Sequence, residues 1–237
     1  MDRPYIICHM VTSLDGKVTG DFLGKSAYSG LIGDYYRIHR EYDADGFLCG
    51  RVTMEGSFPQ PPVPSAVYDG SPIAREDYVA ERAAFYAVAI DPRGKIWWDN
   101  RAIADQDEGY DGAHVIEVLT QSVSDAFLVH LQKKGVSYLF GGKTELDLAL
   151  VAQKLKRLFG IERLLLEGGG IVNGSFLQEE LVDEISLVVV PEAECSENAV
   201  SLFKTGKYQT SNMHVASFRL KEARRLNDDG LWLTYQK

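Results

Sequence analysis

Short apolar runs that alternate with stretches of helical periodicity constrain this 237-residue chain more than any other feature of its sequence. Residues 5–11 have the content of a buried strand and stop at the turn-forming Ser13-Leu14-Asp15-Gly16. Leu31, Tyr35, Ile38 and Tyr42 then recur at helical spacing, and residues 46–49 give a second short apolar run ending at Gly50-Arg51. Further strands are expected at 85–90, 115–119, 138–140, 163–166 and 185–190. Between them, residues 125–134 read as a helix capped by Ser122 or Ser124. Leu148, Val151, Leu155, Leu158 and Phe159 mark the apolar face of another helix, and 171–181 read as one more. Such an order requires a largely parallel sheet covered on both faces. The tail differs: residues 218–226, the turn Asn227-Asp228-Asp229-Gly230 and the alternating Leu231, Leu233 and Tyr235 predict an antiparallel hairpin. The expected class is therefore α/β, with a mixed, mostly parallel sheet. The proline-rich stretch 59–64 and the polar, acidic stretch 98–112 read as surface excursions, not linkers, so residues 1–237 are taken as a single domain.

Charge narrows the partners. With 25 Lys and Arg against 34 Asp and Glu, the chain carries a formal net charge of -9 and as a whole repels a nucleic-acid backbone. A phosphorylated ligand needs a local basic pocket, for which Lys25, Arg37, Arg40 and Arg75 are candidates. No run reaches the roughly 18 apolar residues of a membrane span, and the opening is too short for a signal peptide, so a cytoplasmic protein is expected. Cys8, Cys49 and Cys195 form no Cys-x-x-Cys pair and sit in or beside apolar runs. They are read as buried thiols, with neither a disulfide framework nor a metal site.

Three segments carry the chemistry. The strand Leu164-Leu165-Leu166 feeds Glu167-Gly168-Gly169-Gly170 and then a helix, an arrangement that offers unshielded backbone N–H groups to a phosphate. It is no dinucleotide fingerprint, because Asn173 holds the third glycine position, and no P-loop, because Ser175 stands where lysine is required. The alternative is that the glycines only let the helix pack closely on the sheet. Glu167 reads either as a solvated or capping carboxylate or as a group aimed at a substrate amine. In Gly50-Arg51-Val52-Thr53-Met54-Glu55, Gly50 permits close approach of a ligand, Arg51 offers a fork of donors to a phosphate, and Thr53 can cap the helix that follows. A surface arginine and an ordinary cap are the plainer reading. His9 shares a strand face with Val11 and Ser13, where it lines a pocket or is a satisfied core histidine. Asp15 and Gly16 form a turn first, with any ligand role second.

Together these segments resemble the reductase domain family of riboflavin biosynthesis. The resemblance rests on Thr12-Ser13-Leu14-Asp15-Gly16-Lys17, on Leu166-Glu167-Gly168-Gly169-Gly170, on Asn173-Gly174-Ser175-Phe176-Leu177 and on Ile90-Asp91-Pro92-Arg93-Gly94-Lys95. Gly50-Arg51-Val52-Thr53 is similar to the Gly-Arg-x-Thr motif of dihydrofolate reductases, in which the arginine meets the 2′-phosphate of NADPH. What the resemblance implies is a dihydrofolate-reductase-like three-layer α/β/α fold and a homodimer. It implies an NADPH-dependent reductase that converts the ribosylamino group of a phosphorylated diaminopyrimidine into a ribitylamino group. Gly50, Arg51, Thr53, Arg93, Gly168, Gly169 and Gly170 would then hold the cofactor, and Glu167, His9 and Asp15 would face the reaction.

There are departures from the family pattern. His9 stands where the first strand of the family often carries lysine. The zinc deaminase that accompanies many such reductases would need a Pro-Cys-x-x-Cys signature, which this chain lacks. A reductase of another heterocycle, such as a folate or pterin, is the alternative. For it, Asp34 and Glu41 are the candidate proton donors in the first helix. A nucleotide-binding module without turnover is a third reading.

Overall fold

The computed structural model describes residues 2–60, 62, 68–206 and 215–237, so Pro61, Val63 and Pro64 of the proline-rich stretch lie outside the described residues. The elements in chain order are β1 (Tyr5–Thr12), α1 (Ser29–Glu41), β2 (Gly46–Gly50), α2 (Arg51–Ser57), β3 (Tyr86–Ile90) and β4 (His114–Thr120). They continue with α3 (Asp125–Lys134), β5 (Ser137–Gly142), α4 (Leu148–Lys154), β6 (Arg163–Leu166), α5 (Gly170–Gln178), β7 (Glu184–Val189), β8 (Arg219–Arg225) and β9 (Leu231–Gln236). They fall into two units, one of residues 45–162 with the stretch ending at Pro4, the other of residues 5–44 and 163–237. No helix among the described residues is long and apolar enough to cross a membrane.

In the first unit four strands run parallel in the order β5, β4, β3, β2. Every residue of β2, β3 and β4 is buried, as expected of parallel strands covered on both faces. Of the two serines offered as caps for α3, Ser124 serves: its side chain accepts the Phe127 N–H, while Ser122 bonds to Thr120. The apolar stripe of α4 runs on into a π-helical turn, Leu155–Phe159, which keeps Leu155 and Phe159 in the core. The outer edge of β5 is covered rather than open. Tyr78 and Tyr138 exchange backbone hydrogen bonds of 2.8 and 2.9 Å, and Ser137 Oγ accepts the Ala80 N–H at 3.0 Å.

The stretch 98–112 lies for the most part at the surface, as its polarity suggests, but it is pinned to the sheet. Trp98, Ile103 and Tyr110 are buried, and the backbone of Ile103 and Val115 ties the stretch along β4. Trp98 donates its indole N–H to Glu117, a carboxyl buried in mid-strand that burial pushes well above its ordinary pKa. Three apolar residues anchor a segment whose remaining residues stay exposed or half-buried.

In the second unit β1 lies between β6 and β7 and is parallel to both, while β9 pairs antiparallel with β7 and β8 with β9. Leu31 and Ile38 of α1 pack with Val11, Val188 and Val190, flanked by Tyr35, Tyr42 and Trp232. Full burial of side chains such as Leu31 and Ile38 contributes roughly 2 kcal/mol each. The last element fastens the first helix. Asp228, in the hairpin turn, accepts the Leu31 N–H at 2.9 Å, and Asp34 accepts the Asn227 backbone and side-chain N–H groups at 3.0 and 2.8 Å. Helix α5 ends at Gln178, three residues short of the expected 181. Cys8 and Cys49 are buried, but Cys195 is exposed, contrary to its reading as a core thiol.

Asp34, named from sequence as a candidate proton donor, is therefore a clamp, and Glu41 pairs with Arg37 on the surface. Burial raises the Asp34 carboxyl, but the hydrogen bonds from Asn227 and Arg37 outweigh it and hold the pKa below the ordinary value. Asp34→Ala is expected to lose about 2 kcal/mol in urea unfolding at pH 7. Because the folded-state pKa is depressed, that contribution is present above about pH 4 and lost as pH falls through the folded-state value. The difference between wild type and variant should narrow in acid; a difference that does not change with pH would contradict the clamp.

Candidate functional site

In each unit most residues singled out from sequence follow the carboxyl ends of parallel strands, where open α/β sheets bind ligands, while His9 lies in mid-strand. Cys8 stands opposite Leu166 in the pairing of β1 with β6, so Glu167 leaves its strand beside the middle of β1. Glu167 is 6% exposed. Its Oε1 lies 2.7 Å from Nδ1 of His39, a residue of α1, in a pair buried on both sides. Sequence reasoning missed His39, although it stands four residues after Tyr35 and so on the edge of the apolar stripe of α1.

His9 is fully buried. Its ring stacks on Tyr35 with centroids 4.4 Å apart, Nε2 lies 3.2 Å from the Tyr35 carbonyl, and Nδ1 lies 3.0 Å from Ser186 Oγ. A carbonyl only accepts, so Nε2 carries the proton, and Nδ1 accepts from the Ser186 hydroxyl, which itself accepts the Trp232 indole N–H at 2.8 Å. Burial lowers the imidazole pKa to about 4, against the field of Glu167. Both ring nitrogens are thus spent inside the protein, and His9 is a satisfied core histidine.

Asp15 acts as a staple. Ser13 donates to it at 2.6 Å, and the backbone N–H groups of Glu194 and Cys195 donate at 2.9 and 3.0 Å. These hydrogen bonds, that from Ser13 foremost, hold its carboxyl down at about 2. Gly16, at φ +73°, completes the turn. The three glycines divide their work. Gly168 sits at φ +105°, a conformation that favours glycine, and Gly169 precedes the first turn of α5. Gly170 is needed for packing, since a Cβ there would stand 2.2 Å from the Ser201 carbonyl, and Gly174 likewise meets Lys204. The close-packing reading of the glycine run thus holds at Gly170.

In the first unit, Gly50 pairs with Ile90, so the Gly50-Arg51-Val52-Thr53 string and the turn holding Arg93 share one end of β2 and β3. Arg51 is partly exposed and paired with Glu55. Thr53 is the third residue of α2 and caps nothing; Gly50 takes the cap position without a side-chain bond. Asp91 shapes the following turn by accepting the Ile96 and Lys95 N–H groups, and leaves Arg93 exposed.

Other candidates are occupied. Lys25 binds Glu192, Arg37 binds Asp34 and Glu41, and Arg75 binds Asp125 and three carbonyls. A cavity of about 450 Å³ opens near the ends of β4 and β5, but its Lys154 is neutralised by Asp77 and it holds none of the residues expected to bind the cofactor or to face the reaction. Ser137, His114 and Glu81 line up as a hydrolytic relay would, at 2.8 and 3.2 Å. Ser137 is fully buried and holds the Ala80 N–H, so the row is a strut.

The model of the RibD C-terminal domain matches residues 4–231. A 2,5-diamino-6-ribosylamino-4(3H)-pyrimidinone 5′-phosphate reductase of Methanothermobacter thermautotrophicus is 27% identical over 192 residues, 80% of this chain and 78% of that protein. Among solved structures, Acinetobacter baumannii RibD has a TM-score of 0.65 at 20% identity; the match covers all of this chain and 58% of RibD. A pyrimidine reductase-like protein of Corynebacterium diphtheriae has a TM-score of 0.68 at 14% identity, covering 98% of this chain and 91% of that one. The expected dihydrofolate-reductase-like α/β fold, with its mostly parallel strands and terminal antiparallel hairpin, is borne out.

The buried ring of His9 gives the site a measurable signature. Nitrogen-15 NMR should find it neutral, with the proton on Nε2, from pH 8 down to about pH 4. Unfolded histidine titrates near pH 6.5, so stability should fall between about pH 6.5 and 4, by on the order of 3 kcal/mol, as the unfolded chain takes a proton that the folded ring refuses. An imidazolium signal from His9 at pH 6 would contradict this placement.

Proposed function

Because the chain belongs to the RibD C-terminal domain family, we propose that it is an NADPH-dependent reductase that converts the ribosylamino group of a phosphorylated diaminopyrimidine into a ribitylamino group. The observation that carries this reading is a family match running from residue 4 to residue 231, across the boundaries of both units. It supports taking residues 1–237 as one reductase domain. The substrate named for the Methanothermobacter relative supplies the substrate class. A homodimer and a cytoplasmic location belong to the same reading.

When bound, NADPH supplies the hydride, and the residues of the chain supply position and a dry environment. Gly168 and Gly169 fit a phosphate-bearing cofactor, because the backbone they free ends at the start of a nine-residue helix. Arg51 fits a 2′-phosphate as a partly exposed guanidinium whose present partner, Glu55, is equally accessible. Gly50 and Thr53 would line the approach, with Arg93 beside them. Glu167 accepts hydrogen bonds from the substrate, His9 holds β1 to α1 and β7 from within the core, and Asp15 fixes the loop that follows β1. A folate or pterin substrate has less support, since Asp34 is locked in the hairpin clamp and His9 in the core.

The test is the loss of NADPH absorbance with the diaminopyrimidine ribosyl phosphate, with dihydrofolate in parallel. Turnover of the pyrimidine alone is expected, and activity only on dihydrofolate would overturn the substrate assignment. Arg51→Ala should raise the KM for NADPH about tenfold while hardly changing that for NADH. Glu167→Gln should lower kcat at least about tenfold at nearly constant NADPH affinity, and the reverse pattern would move Glu167 to the cofactor.

A further inference from the structure

Arg51 and Glu55 stand one turn apart on α2, and Nη1 of the guanidinium donates to Oε2 of the carboxylate. Their side chains are 39% and 38% exposed. An arginine carries five N–H donors, and no other hydrogen bond engages the Arg51 guanidinium among the described residues. A second anion can therefore take the rest of the fork without displacing Glu55. Two further carboxyls share this end of β3 and β4. Asp91 follows β3, is 1% exposed and is held by the Lys95 and Ile96 N–H groups, while Glu117 is fully buried in β4. Burial is the foremost influence on both and opposes their charge. The fields of Arg51 and Glu55 reach Asp91 with opposite sign, as expected of a pair that sits at this end of the sheet. Of the three carboxyls only Glu55 reaches the surface.

We infer that Glu55 is a specificity-determining residue, whose carboxylate stays on Arg51 when the cofactor binds, works against a 2′-phosphate and so narrows the preference for NADPH over NADH. The inference rests on the role given to Arg51 above. Two effects of Glu55 compete. Holding the guanidinium in place is worth about twofold for a partly exposed pair one helical turn apart. Two anions that share one guanidinium lie about 6 Å apart, and at that separation even in water a carboxylate weakens the binding of a phosphate dianion roughly tenfold. Repulsion wins. A 2′-hydroxyl carries no charge and escapes it.

Glu55→Gln keeps an oxygen for Arg51 and removes the charge. Calorimetric titration with adenosine 2′,5′-bisphosphate and with adenosine 5′-monophosphate reads the 2′-phosphate apart from turnover. At low ionic strength the variant should bind the bisphosphate about tenfold more tightly than wild type and the monophosphate within about twofold of it. At about 0.15 M salt the gain should shrink to about threefold, because exposed charges are screened. The KM for NADPH relative to that for NADH should fall by the same factors. No gain for the bisphosphate, an equal gain for both nucleotides, or a gain that salt leaves unchanged would overturn the inference. Arg51→Ala separates it from the earlier reading. If that variant weakens the bisphosphate alone while Glu55→Gln changes nothing, only the role of Glu55 fails. If it weakens both nucleotides alike, the assignment of Arg51 fails and that of Glu55 with it.

Discussion

The parallel pairing of β1 with β6 on one side and β7 on the other governs the second unit. It sets Cys8 against Leu166 and His9 against Ser186, joining segments that lie more than 150 residues apart in sequence. Once that register holds, Glu167 must emerge beside β1, the turn at Asp15 must meet the segment after β7, and α1 must cover His9. A one-residue slip would send His9 to the opposite face and leave Ser186 and the indole of Trp232 without their partner.

Buried polar groups are handled in different ways in the two units. His9, Asp34 and Glu184 are each buried with several hydrogen bonds; Glu184 is held by Tyr5, Tyr42 and Lys221. Glu117 keeps one oxygen without a partner among the described residues and escapes the cost of a buried charge through its raised pKa. Glu167 differs in having an imidazole as its donor. A histidine responds to the charge across from it, which a backbone N–H cannot do.

What the sequence disclosed depended on distance along the chain. The stripe of Leu31, Tyr35, Ile38 and Tyr42, the Ser124 cap and the terminal hairpin are local patterns, and they formed as read. Contacts of long reach were not legible. Nothing near Asp34 announces Asn227, and nothing near Glu167 announces His39, because each pairing exists only after the sheet has brought distant segments together. At 98–112 composition indicated the surface course of the chain but not its three buried anchors, Trp98, Ile103 and Tyr110. In the candidate site, Asp15 and Gly16 were legible as turn chemistry, while the packing role of Gly170 required the segment at 201–204 to be seen against α5.

The fastening of α1 by Asp228 also orders events in time. Tyr28, at the cap position of this 13-residue helix, contributes no side-chain hydrogen bond, so the donor at Leu31 waits for a carboxylate 197 residues downstream. A helix of this length is marginal in water without its packing partners. At the usual pace of synthesis, on the order of ten to forty seconds separate the emergence of the helix from that of its cap. The first unit, nearly all of it contiguous from residue 45 to 162, has its strands in hand well before then. The nascent chain thus carries α1 without this cap until residue 228 has emerged, and the partners of its apolar stripe at Val188 and Val190 come only some 150 residues after the helix itself.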